Sequence, residues 1–134
     1  MVAAVVGASL AFAVGLFATA IGLDRDRAFY PTVMIVIAAI YVLFAAVGGS
    51  TTALLLESAA GAVFVAAAVA GFRSSLWVVA VALAAHGVFD LVHGRVIVNP
   101  GVPVWWPAFC MTYDVIAAVY LAWLLATDRR RART

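Results

Sequence analysis

The sequence contains no lysine, one cysteine, one glutamate and two histidines in 134 residues. Charged residues make up only 10% of it, and hydrophobic residues 68%. Soluble domains carry about 25% charged residues. A chain this poor in charge cannot cover its own surface with polar groups, which excludes an ordinary soluble domain and predicts an integral membrane protein. The single thiol, Cys110, excludes an internal disulfide and a cage built of thiolates. Positive charge is all arginine, and four of the eight arginines crowd into Arg129, Arg130, Arg131 and Arg133. With no basic surface elsewhere, nucleic acid is excluded as a partner, and the tail suits anionic lipid headgroups. No Lys or Arg precedes the first apolar run, and that run is too long for a signal-peptide core. Despite the small residues Ala18-Thr19-Ala20, it reads as a retained membrane helix. There is no soluble domain, no long linker and no low-complexity segment beyond alanine richness.

What remains is a single transmembrane domain over residues 1–134, an all-α bundle of five spans. Apolar runs of about 20 residues cross a hydrocarbon core of about 30 Å. They are predicted at about 2–23, 31–47, 52–72, 75–98 and 103–127, followed by a basic tail at 128–134. The breaks carry interface and turn chemistry. Asp24-Arg25-Asp26-Arg27 alternates in sign and predicts local ion pairs. Tyr30 suits the headgroup belt and Pro31 a first helical turn. Gly48-Gly49-Ser50 predicts a tight turn with Ser50, Thr51 or Thr52 as N-cap. Asn99-Pro100-Gly101 ends the fourth span, and Trp105 and Trp106 suit an interfacial belt. The fifth span starts at either Pro103 or Pro107. Small residues recur every fourth place in the first span (Ala3, Gly7, Ala11, Gly15, Thr19) and the third (Ser58, Ala62, Ala66, Ala70). These strips predict close helix packing and a homo-oligomer or larger membrane complex. Placing the tail in the cytoplasm puts seven of the eight arginines inside and only Arg95 outside. That matches the positive-inside rule, with the N-terminus outside, in a bacterial inner (plasma) membrane.

The fourth span holds the stretch AAHGVFDLVH, Ala84 to His93. Offsets of four and seven residues put His86, Asp90 and His93 within an arc of about 60° on one helix face. Ionisable groups are costly in lipid and face a protein interior or a wet cavity. Depth adds two more. At about 1.5 Å of rise per residue, Glu57 lies about 10 Å in from Ser50. His93, Asp90 and His86 lie about 8, 12 and 18 Å in from Val98, and Asp114 about 10 to 17 Å in. All five fall in one layer of the outer half, on three consecutive spans joined by short loops.

Three uses fit such a layer. Two imidazoles and one or more carboxylates on rigid helices make a ligand set for Zn²⁺ or non-haem iron. His86, Asp90 and His93 are the candidate metal ligands, with Glu57 and Asp114 as candidate catalytic groups, each a further ligand or a general base. Hydrolysis or oxidation of a lipid-soluble substrate would follow. The second use is a proton or cation pathway, and the third is polar glue between helices. The metal reading leads, because five groups at one depth exceed what helix packing needs. Cys110 shares a face with Asp114 and is either a soft ligand or an inert thiol, with the inert thiol favoured. Tyr41, Tyr113 and Tyr120 read as packing residues, each with one hydroxyl to donate. Arg95 reads as a snorkelling side chain near the outer mouth.

The stretch HGVFDLVHGRVIVNPGVPVWWPAFCMTYD resembles a signature of small, uncharacterised bacterial multipass membrane proteins. On His86, Asp90 and His93 the chain also bears a remote chemical likeness to the alkaline ceramidase and adiponectin receptor superfamily. Those proteins hold zinc with intramembrane histidines and a nearby aspartate, and hydrolyse lipid amides. The likeness covers one helix and implies intramembrane zinc hydrolysis here.

Overall fold

A computed structural model describes residues 1–131, with side chains described through Thr127. The tail residues Asp128, Arg129, Arg130, Arg131 and Arg133 therefore lie outside the described side chains. Five helices follow one another: α1 Val2–Ile21, α2 Phe29–Val47, α3 Thr51–Arg73, α4 Leu76–Val96 and α5 Trp106–Arg131. All five are long and apolar enough to cross a membrane, and no strand occurs among the described residues. The architecture is an all-α bundle of five spans.

Local chemistry sets the ends. Gly22 closes α1 at φ 83°, a left-handed conformation in which its N–H reaches the Ala18 carbonyl. Ser50 is the N-cap of α3, its hydroxyl accepting from Ala53 N at 3.2 Å. Helix α5 starts at Trp106, so Pro107 and not Pro103 occupies its first turn.

The polar break at 24–27 does not form the expected ion pairs. Asp24 accepts from the Thr19 hydroxyl at 2.5 Å and Asp26 from Ala28 N at 3.1 Å. Arg27 instead donates to the carbonyls of Gly71, Phe72 and Ser74 at the end of α3. Those carbonyls have no helical partner and sit at the negative end of the helix dipole, so they outcompete a solvated aspartate.

Helix α4 is central, packing against α2, α3 and α5, while α1 packs chiefly on α5. The small-residue face of α1 is used as expected. Gly7, Ala11, Gly15 and Ala18 are buried, and Thr112 Oγ1 donates across the contact to the Ala4 carbonyl at 2.8 Å. A Cβ on Gly7 would collide with the Phe109 carbonyl. On α3 the expectation fails within the chain, since Ser58, Ala62, Ala66 and Ala70 all face outward. The buried face is Ala53, Glu57, Gly61, Ala68 and Gly71. Glu57 sets that rotation, because a carboxylate in lipid costs far more than a few exposed alanines.

Candidate metal centre

The α4 stripe points into the middle of the bundle. His86, Asp90 and His93 are 2–3% exposed, Glu57 2% and Asp114 0%. Gly87 allows α5 to close on this stripe, since a Cβ there would stand 3.0 Å from the Met111 carbonyl and 3.3 Å from Asp114 Cβ. All five predicted groups are inside, and each carboxylate from a neighbouring helix meets an imidazole. They do not, however, share one set of ligand atoms.

The inner set joins α4 to α5. His86 Nδ1 lies 2.7 Å from Asp114 Oδ2 and 3.8 Å from Asp90 Oδ2. Cys110 Sγ lies 3.7 Å from Asp114 Oδ2. One ligand atom from each of His86, Asp90, Cys110 and Asp114 lies within 4.8 Å of every other. The outer set joins α4 to α3 and to the loop before α5. His93 Nε2 meets Glu57 Oε1 at 2.8 Å, and Asn99 Nδ2 donates to the same oxygen at 2.9 Å. Asn99 also donates to the Tyr41 carbonyl at 3.1 Å, and its own Oδ1 accepts from Gly101 N. The loop thereby folds back over the outer end of the pair.

Tyr41 on α2 links the sets. Its hydroxyl donates to Asp90 Oδ1 at 2.7 Å, and its ring lies 4.2 Å from the His93 ring. Phe64 packs edge-on against His86 at 4.7 Å.

Charge separates the sets. The outer set has one carboxylate, one imidazole and an amide donor, so a single shared proton balances it. The inner set has two carboxylates against one imidazole. Asp90 Oδ2 and Asp114 Oδ1 are buried without a hydrogen-bond partner. Buried carboxylate oxygens without partners are costly, and buried charges are normally paired or on a metal. A tetrahedral Zn²⁺ with bonds of about 2.0–2.3 Å holds its ligand atoms about 3.3–3.8 Å apart. The inner set needs adjustments of roughly an ångström to reach that, with the His86–Asp114 hydrogen bond opening.

Three further residues belong here. Cys110, expected to be an inert thiol, joins the inner set, as its four-residue spacing from Asp114 allows. Tyr41, favoured as core packing, donates into the site. Asn99, read only as a turn residue, closes the outer set, and nothing in its sequence context announces that.

Two cavities reach the sets from different sides. One of about 510 Å³ lies between α2 and α5, apolar apart from its ends, with Cys110 in its wall. The other, of about 250 Å³, lies under the 97–107 loop with His93 and Asn99 in its wall.

Fold and site together define a class: a multipass membrane-spanning bundle with a buried His/Asp/Cys/Asp group able to hold a metal ion. No protein-family model, no curated protein and no solved structure matches the chain.

Proposed function

We propose that this protein binds one divalent ion, Zn²⁺ or Fe²⁺, through His86, Asp90, Cys110 and Asp114, and uses it on a lipid-soluble substrate. The observation that carries the reading is the excess of buried carboxylate in the inner set, with two oxygens that have no hydrogen-bond partner. The ion would supply Lewis acidity there. Of the two reactions, hydrolysis is the better supported. It needs only water, and the outer cavity leads to His93. Water adds across the substrate bond, the hydroxyl going to one fragment and the proton to the other. The His93–Glu57 pair, hydrogen-bonded at 2.8 Å, relays that proton. Compared with the ceramidase and adiponectin receptor superfamily, the proposed donor set has one imidazole with carboxylates and a thiolate. The arginine distribution supports an orientation with the N-terminus outside and the tail in the cytoplasm.

Elemental analysis of the detergent-purified protein tests the metal. About one Zn or Fe per chain is expected, falling by an order of magnitude or more in Asp114→Ala, since a lost ligand weakens a site at least as much as a lost outer-shell partner. Cobalt loading should add a thiolate-to-metal charge-transfer band that Cys110→Ser abolishes. A protein that takes up neither zinc, iron nor cobalt would refute the assignment.

A further inference from the structure

The cavity between α2 and α5 exists because the two helices are drawn apart. Helix α5 packs on α1 and α4, and α2 on α3 and α4. The α2 wall is one helical face, Phe29, Val33, Ile37 and Ile40, about 16 Å long at 1.5 Å per residue. The α5 wall is the face carrying Phe109, Cys110 and Tyr113. Its volume of about 510 Å³ falls within the roughly 300–1,000 Å³ of small-molecule sites. Val36, 54% exposed, stands at its mouth, which opens sideways where hydrocarbon lies in a membrane.

Cys110 makes this more than a crevice. It is 2% exposed, lines the cavity, and belongs to the inner set through its contact with Asp114. A molecule in the cavity therefore touches the proposed metal group at one point of a largely apolar wall. We infer that the cavity is the substrate site, and that it takes the hydrocarbon chain of a membrane amphiphile entering sideways from the bilayer. The substrate's carbonyl head lies beside Cys110, and its chain runs along α2 toward Phe29. This rests on the proposed metal function for its chemistry, but not for its geometry. Water and substrate then reach the site from opposite sides, one through the outer cavity at His93 and one through lipid.

Photolabelling in lipid nanodiscs tests it, with a palmitic acid analogue carrying a diazirine near its carboxyl end. Adducts mapped by mass spectrometry should concentrate on residues 36–40 of α2 and 109–113 of α5. Val36→Trp fills the mouth from an exposed position and should cut those adducts about tenfold, an overpacking effect. Val63→Trp, at an equally lipid-facing site on α3, should leave them unchanged. Adducts spread evenly over lipid-facing positions such as Val63, Val81 and Val119, or indifferent to Val36→Trp, would overturn the assignment. Metal content measured on the same samples separates the two readings. Focused labelling without metal retires the metal function and keeps the cavity; metal with diffuse labelling does the reverse.

Discussion

Tyr41→Phe removes one oxygen from the site and little else. The ring stays, and with it the packing 4.2 Å from His93 and 5.9 Å from His86. What goes is the 2.7 Å hydrogen bond to Asp90 Oδ1. Asp90 Oδ2 already has no hydrogen-bond partner, so the variant leaves a buried carboxylate with neither oxygen satisfied. Hydrogen bonds to charged groups contribute about 1.5–3 kcal/mol, whereas those measured between membrane helices reach about 1.7 at most. The ranges meet at about 1.5 kcal/mol, the expected loss for metal-stripped protein in reversible SDS-induced unfolding. Zinc then separates the readings. At a concentration one hundred times the wild-type Kd, bound zinc adds about 2.7 kcal/mol to wild type. If losing the tyrosine weakens zinc tenfold, at the low end for a partner that orients a ligand, the variant gains only about 1.4 kcal/mol. Zinc should therefore widen the gap between the two proteins from about 1.5 to about 2.8 kcal/mol. A gap that zinc leaves unchanged would mean that Asp90 is no ligand. A metal-free gap under about 0.5 kcal/mol would mean that the hydrogen bond itself is worth little.

Diethyl pyrocarbonate, a water-soluble acylating reagent, should modify His93 and spare His86 in peptide mass spectrometry, because only His93 lines the outer cavity; equal protection would close the proposed water route. Asn99→Leu deletes donors to Glu57 and to the Tyr41 carbonyl, so a loss of about 1–2 kcal/mol is expected, with faster hydrogen exchange across residues 97–105. Gly87→Val should cost about 1–3 kcal/mol and lower metal content, since its side chain pushes α5 and Asp114 away. Gly94→Val, where a Cβ meets nothing within 4 Å, should keep the metal.

The bundle was legible because it depends on properties that lie along one helix at a time. Scarce charge marks the spans, and Ser50 caps α3 where the Gly48-Gly49-Ser50 turn predicts. Helical period alone placed His86, Asp90 and His93 on one stripe, and rise alone placed Glu57 and Asp114 at matching depth. Pairing across helices was not legible. Which carboxylate meets which imidazole depends on how each helix is rotated and on which neighbours it has. Helix α2, with no acidic, basic or histidine residue in its span, gives no sign that packing on α4 brings Tyr41 to Asp90. The α3 strip faces away from the bundle, because spacing of small residues cannot tell an inner face from an outer one. Glu57 could have told it, since Ser58, Ala62, Ala66 and Ala70 lie on a different face from the one residue that must be buried.

The split into two sets also divides the plainer alternative, that these groups only bind helices together. Polar groups retained for packing should be satisfied, because a half-satisfied buried network is worse than an apolar one. The outer set meets that standard: Glu57 Oε1 is hydrogen-bonded to both His93 Nε2 and Asn99 Nδ2, and Asn99 uses its amide nitrogen twice and its oxygen once. It ties α2, α3, α4 and the loop at one point, so the pair proposed as a proton relay also clasps the bundle. The inner set fails the same standard at Asp90 and Asp114, on the helix pair that needs a clasp least, since Gly87 already lets α4 and α5 close. Leaving two carboxylates buried beside one imidazole makes sense only if something positive arrives. With every arginine on a described side chain outside the spans or at their ends, that charge comes from solution, as a metal ion or as protons. The thiol of Cys110 favours the metal, because sulfur adds a soft ligand to such a site and nothing to a chain of proton carriers.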